Sequence, residues 1–510
     1  MKPSRIIRGA ILVILAMPVL LAIAVIIFYA EENWRGPHTW ETTKASFEAK
    51  GETLDYIKLI PPSVQDDQNL GALPVFQLEP DPDDKGALKP LKLIQALANI
   101  SSDNYRLPQA NNFAKWRTAD LKSISDSISK RYHLVFQPPS TAPEPTTLAA
   151  LDALCPALAE IRSASQTRPD CRFAQDYVST PAAARPLGLS TKLILLAQGF
   201  DLHAVLALHA NRSDLAMEDM RVLFKIDAEM RREPELVSGL VGVGIEGIQA
   251  QAIREGIATH GWSDVQLREL DDSLGKIEFF STYSLCLRGE AMGFFVPIID
   301  EQTRHFSVKD VMGMAKDSTD FTAENLYGYA AGWFYWMMPS GWYGLSKAKL
   351  VNFYYQAADE CADPIARRFY PEQSDEIARE SGKGSLLSVG EILRRVASGP
   401  VLDCASTFAR AQSQIDMERL TCKAERYRLT HGTYPKSLND LAASLKEDPP
   451  RDVMSGEPYQ YVLRSNERFF FYSVGWNQVD EGGKPGLTDD DPKKSDRKKG
   501  DWPWPGYLEK

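Results

Sequence analysis

The chain lacks the short signatures of most enzyme classes. Six cysteines are scattered through 510 residues without one CxxC pair, which excludes a zinc ribbon and a thioredoxin-type redox centre. Seven histidines are dispersed with no HExxH string, so nothing points to a zinc protease. His203 and His209 are six apart on a predicted helix and face different sides. No GxSxG elbow occurs. Basic charge is also short: Lys and Arg number 58 against 68 Asp and Glu, for a net charge of −10. Nucleic-acid phosphates demand a basic face, so no nucleic-acid partner is expected.

Three near-matches fail on context. Gly242, Gly244 and Gly247 spell GxGxxG, but a dinucleotide fingerprint follows a strand and opens a helix. Here a helix opens earlier, at Pro234, so the glycines are expected to let a neighbouring helix approach. Ser381–Ser385 (SGKGS) lacks the spacing of a phosphate loop and reads as a polar turn. The SxxK strings Ser127–Lys130 and Ser346–Lys349 lack their SDN and KTG partners. Cys155 and Cys171 are close enough to bridge adjacent helices. Cys404 and Cys422 share one predicted helix, ~27 Å apart, and cannot bridge there. The plainer expectation is buried free thiols throughout.

What is present begins with an anchor. Lys2, Arg5 and Arg8 precede Gly9–Ala30, 22 uncharged residues rich in Ile, Leu, Val and Ala; about 20 suffice to cross a bilayer as a helix. Cleavage after the small residues Ala22 or Ala24 would leave VIIFYA exposed, so a retained anchor is expected. The basic charges flank its N-terminal side and Glu31 and Glu32 follow it. The N-terminus is therefore expected in the cytoplasm and the bulk of the chain outside it. The lipid bilayer is the first predicted partner, through Gly9–Ala30.

Residues 31–136 read as a first extracytoplasmic segment, with a short helix at Trp40–Lys50 ended by Gly51 and another at Trp116–Lys130. Gln137–Thr147 holds four prolines in eleven residues and reads as a linker. Residues 148–403 form a predicted helical body. Leu148–Ser165 is one helix. Leu189–His209 stops at Asn211, and Ser213 or Asp214 caps the next, which runs to Arg232. Pro234 occupies the first turn of a third, ended by Gly261. Ser263 starts a fourth, through Lys276. Such paired helices predict an α-solenoid-like array. Tyr327–Leu345 is a second uncharged run of 19 residues; Pro339 and its glycines favour buried core over an interface contact or a span. Val401–Thr430 is the last long helix. It feeds a small α+β domain, residues 404–510, with an antiparallel hairpin pairing Tyr459–Leu463 with Phe469–Val474.

After the hairpin come Asp480, Glu481, Gly482 and Gly483, then Asp489, Asp490 and Asp491, then Asp501. Carboxylates in a glycine-rich loop supply the oxygens that Ca²⁺ requires. The alternative is a solvated acidic loop balanced by the nearby lysines.

The order of words from residue 404 to 504 carries a likeness. A helix ending ERYRLTHGTYP, then SLNDL, PPRDVMSGEPYQY and FFFYSVGWNQVDEGG resembles the C-terminal head of the type II secretion major pseudopilin. The resemblance implies a calcium loop, with ligands at Asp480 and Asp489–Asp491 and a weaker one at Asp501. The whole chain also resembles a family of single-anchor bacterial envelope proteins, which implies architecture and compartment only.

The expected fold is mainly α: a transmembrane helix, an α-solenoid-like body and a small C-terminal α+β domain. The expected function is a non-enzymatic, membrane-anchored scaffold that binds an envelope protein and has a Ca²⁺-stabilised loop. The alternative is an envelope hydrolase with its site near Trp333–Trp342.

Overall fold

The computed structural model describes residues 5–76, 79–80, 88–89, 119, 121–122, 124–126, 144–173, 177, 188–305, 337–381, 389–446, 448–465, 468–488 and 495–504. It is mostly helical, 68% by residue, with a few small antiparallel sheets. The first helix, α1 (Arg5–Ala49), is 45 residues long. It runs through Pro18 and on past Gly36 and Pro37, so the short helix expected at Trp40 is the far end of the anchor. Its apolar residues Met17 to Phe28 are exposed. That fits a membrane anchor.

A minimal antiparallel pair, β1 (Glu79–Pro80) with β2 (Leu88–Lys89), comes next, and the helices of the body follow in short succession. α2 (Glu144–Leu154) and α3 (Pro156–Thr167) replace the single helix expected over 148–165. Pro156 lacks the N–H that a continuous helix would need there and starts α3 instead. α4 (Gly188–His209) ends where Asn211 adopts the left-handed conformation, φ 57°. α5 (Ser213–Arg232) has no side-chain cap. Ser213 and Asp214, the expected caps, accept hydrogen bonds from the Gln266 amide instead.

α6 (Leu236–Ala258) starts after Pro234, whose carbonyl lies against Gly289. A β-carbon at Gly289 would fall 1.8 Å from that oxygen, so this contact requires glycine. At the other end of α6 the left-handed position falls on His260, φ 54°, one residue before the expected Gly261. α7 (Asp264–Leu274) opens on a full capping box: Ser263 accepts from the Gln266 N–H, and the Gln266 side chain returns to the Ser263 N–H. α8 (Phe279–Gly289) runs into a π-helical turn, Glu290–Phe295, and then α9 (Val296–His305).

α10 (Gly341–Glu360) is followed by a two-residue hairpin, β3 (Ala362–Asp363) and β4 (Arg368–Phe369), and by α11 (Pro371–Ser381). α12 (Val389–His431) is 43 residues long and begins well before the expected Val401. α13 (Leu438–Leu445) is capped by the Ser437 hydroxyl.

The chain gathers into two units that interleave along the sequence. One comprises Met1–Tyr56, Ala291–Tyr355 and Ile377–Gly399; the other comprises Ile57–Glu290, Gln356–Glu376 and Pro400–Lys510. In the first unit α1 crosses α10 at glycine. A β-carbon on Gly36 would meet the Gly341 carbonyl, and one on Gly344 would meet Gly36 in turn. Asn33 accepts from the Gly341 N–H and the Ser340 hydroxyl, so α1 caps the start of α10. Further along, Phe47 packs on Tyr355 and Lys347 lies over the Trp40 ring.

In the second unit α4, α5 and α6 pack mutually, each against both others. α4 and α6 are apolar and long enough to cross a membrane, yet most of each is inside the protein. α6 also carries Glu246, Gln249, Gln251, Arg254 and Glu255 into the interior, which marks it as core. Of the GxGxxG glycines, Gly242 packs against Arg231, whereas Gly244 and Gly247 have no neighbour within 4 Å of a β-carbon. Close approach falls on Gly239 instead, beside Cys286 and the Phe408 ring.

Two buried ionic networks tie this unit together. His203 is fully buried and its two ring nitrogens lie 2.5 Å from Asp219 and 3.0 Å from Asp152. Arg162 reaches the same Asp219 carboxylate. Burial works against the imidazolium, but the Asp219 charge and both carboxylate contacts prevail and lift His203 to about 9. In the second network Arg172 contacts Glu229 at 2.7 Å and also bonds Glu233, and Tyr177 donates to Glu233. The six cysteines are all free and buried. Burial raises every one of their thiols, so none is a nucleophile at neutral pH.

Candidate functional site

The carboxyl-terminal strands set the site. β5 (Gln460–Ser465) and β6 (Arg468–Ser473) form the hairpin, and β9 (Trp502–Trp504) pairs on the other side of β6, all antiparallel. Between β6 and β9 a second hairpin, β7 (Pro485–Leu487) with β8 (Ser495–Gly500), carries the chain out and back. Phe471 sits opposite both Tyr461 and Trp504. These side chains join Ala250 of α6 and Met417, Leu420 and Ala424 of α12 in one buried cluster.

Two buried aspartates tie the loops to this sheet. Asp452 accepts from the Met454 N–H, the Ser473 hydroxyl and the Val474 N–H. Gly475 follows, with φ 68° and the Gly500 carbonyl 2.3 Å from where a β-carbon would stand. Only glycine fits that turn. It brings the start of the acidic loop back beside the end of β8.

Asp501 is 1% exposed. One carboxylate oxygen accepts from the Glu481 N–H at 3.0 Å and the Gly483 N–H at 2.6 Å. The other is buried without a partner, and so is Oε2 of Glu481. Glu481 Oε1 is held by the Asn477 amide at 2.7 Å. Burial, with the Glu481 charge beside it, pushes Asp501 up to about 7.

Of the residues named from sequence, Asp501 is thus central. Asp480 is exposed and is engaged elsewhere, accepting from the Tyr472 hydroxyl and the Gly482 N–H. Asp489, Asp490 and Asp491 lie outside the described residues. Glu481, absent from the expected ligand set, is the group that meets Asp501. Its position two residues before the Gly482-Gly483 pair's end was the available signal, since both glycines are left-handed and fold the loop back on itself.

The two unpartnered oxygens suit a hard cation in kind. In number they fall short of the roughly six to eight that Ca²⁺ takes. Among the described residues no group of three or more metal-ligating side chains is poised to hold an ion.

Around the aromatic run, Trp342 donates to Glu32 at 2.9 Å and packs with Met338, Tyr343 and Ile299. Glu32 and Asn33 are thus both engaged with the start of α10. Trp333 to Trp336 lie outside the described residues. Comparison with known protein families, with curated proteins and with solved structures found no match.

Proposed function

We propose that the protein is a membrane-anchored scaffold whose bulk lies outside the cytoplasm and binds an envelope protein. The observation that carries this reading is α1: an exposed apolar stretch continuous with a helix segment that other parts of its own unit grip. The apolar stretch and the packed helices of the first unit are thus one piece. The helical array is read as solenoid-like, and residues 404–510 as a pseudopilin-like head. A reporter enzyme that is active only outside the cytoplasm, fused after Lys510, is expected to be active. Activity confined to a cytoplasm-dependent reporter at the same position sinks the orientation.

The head's acidic loop is read as a Ca²⁺ site built on Asp501 and Glu481, with Asp489–Asp491 as the sequence's further donors. Each carboxylate must be ionised to ligate, so cation affinity rises as pH rises through about 7, where Asp501 titrates. For the full chain in detergent, Ca²⁺ at 100 times its Kd is expected to stabilise by about 2.7 kcal/mol. Chelator is expected to reverse the gain and Asp501→Asn to abolish it. A melting curve indifferent to millimolar Ca²⁺ at pH 8 counts against the site and leaves the scaffold reading standing.

A further inference from the structure

The interior of the second unit holds a pair of acids with no obvious structural use. Glu246 on α6 and Glu418 on α12 are both 0% exposed. The two carboxyl groups are close enough to interact, yet all four oxygens lack a hydrogen-bond donor. As carboxylates both groups only accept, so they cannot satisfy each other. Two like charges in such contact, away from water, cannot both persist.

The surrounding charges can be counted. Asp227 on α5 faces Glu246 and is itself paired with Arg231 at 2.9 Å, so those two cancel. Arg254 on α6 faces both glutamates and offsets one of them. Cys422 on α12 lies near Glu418, and burial keeps its thiol protonated. One negative charge remains, and one proton neutralises it while turning an acceptor into a donor.

We propose that Glu246 and Glu418 form a proton-binding site, in which a single shared proton closes a hydrogen bond between α6 and α12 and is released under alkaline conditions. This goes beyond the scaffold reading and does not rest on it. Burial is the largest cause, and it raises both groups above the ordinary carboxylate range. The folded state therefore holds a proton that the unfolded chain gives up above about pH 4.3. Stabilisation is complete in acid and is lost as pH rises above the unfolded carboxyl range towards the raised titration of the pair. The loss reaches the head through Arg254, whose guanidinium lies 4.1 Å from the centre of the Trp504 ring. A second free carboxylate beside Arg254 competes with that ring for the cation.

The test is thermal unfolding of the full chain in detergent from about pH 5.5 to about pH 8.5, together with infrared detection of protonated carboxyls. The wild-type melting temperature is expected to fall by roughly 3–5 °C across that range. Glu418→Gln supplies an amide donor that does not titrate, so its fall is expected to be much shallower, and Glu246→Gln is its mirror. Each variant is also expected to lose one protonated-carboxyl band at neutral pH. Should a single variant fail to fold, Glu246→Leu with Glu418→Met removes both acids at similar volume and is expected to flatten the fall equally. An unchanged pH slope in the variants, or a stoichiometric metal whose removal abolishes the slope, overturns the proposal.

Discussion

Arg172→Ala is expected to lower the melting temperature of the full chain in detergent by roughly 3–6 °C, the equivalent of about 3–5 kcal/mol. Arg172 is nearly buried and serves Glu229, Glu233 and Tyr177 at once, with the Pro61 carbonyl as a fourth contact. Its backbone is equally committed: the Arg172 N–H donates to Asn69, and the Asn69 amide donates back to the Arg172 carbonyl. Removing the guanidinium leaves two buried carboxylates facing each other without a cation. That loss outweighs anything the intact network contributes, because an orphaned buried charge costs more than a formed pair gains. The deficit is expected to shrink on acidification. Burial already lifts Glu229 to about 7 despite Arg172, so without the arginine Glu229 takes up a proton more readily and the repulsion relaxes. Melting curves at about pH 5 and about pH 8 check this; an equal deficit at both would show that packing, not charge, makes Arg172 necessary.

Trp504→Ala is expected to cost about 3–5 kcal/mol and to open the carboxyl-terminal strands first. The ring is 1% exposed and belongs to the cluster of Tyr459, Phe471, Met417, Leu420 and Ala250. Truncation leaves a cavity there, and it also strips Arg254 of the aromatic face it stacks on. Limited proteolysis is the sensitive readout. Cleavage is expected to begin in the Asp480–Gly483 loop of the variant before the helices are cut. Trp504→Phe keeps a ring in the site and is expected to retain most of the protection. Simultaneous cleavage of loop and helices would mean that the carboxyl-terminal strands and the helices they pack on open as one.

Local features were legible where a single stretch decides them. Ser263 read as the start of a helix, and it caps α7, with Gln266 completing a capping box. Asn211 stops α4 because asparagine tolerates the left-handed conformation. The hairpin read at Tyr459–Leu463 and Phe469–Val474 forms, with strand ends one or two residues from those bounds. Proline and glycine misled where tertiary contact overrides local preference. The helix at Trp40–Lys50 read as separate from the anchor, yet α1 runs unbroken through Gly36 and Pro37, and the missing β-carbon at Gly36 admits Gly341. Ser213 and Asp214 read as caps and instead serve Gln266, more than fifty residues away. The charged interior was beyond reach for the same reason. Arg172 finds Glu229 at a separation of 57 residues, and no spacing rule reports such a meeting. Of the acidic loop, the composition was visible but not which carboxyl turns inward; Asp501 does so because Gly475 brings its strand alongside.

The unbroken α1 has a mechanical consequence. At about 1.5 Å per residue a helix of this length is a rod of roughly 68 Å, of which a bilayer core takes about 30 Å. The remainder acts as a stiff mast and not as a tether. Because α10 is clamped to it at Gly36, Asn33 and Phe47, tilting or turning the mast in the membrane swings that clamped helix by the same angle. An insertion of flexible residues near Gly36 would uncouple the clamped helix from the rod.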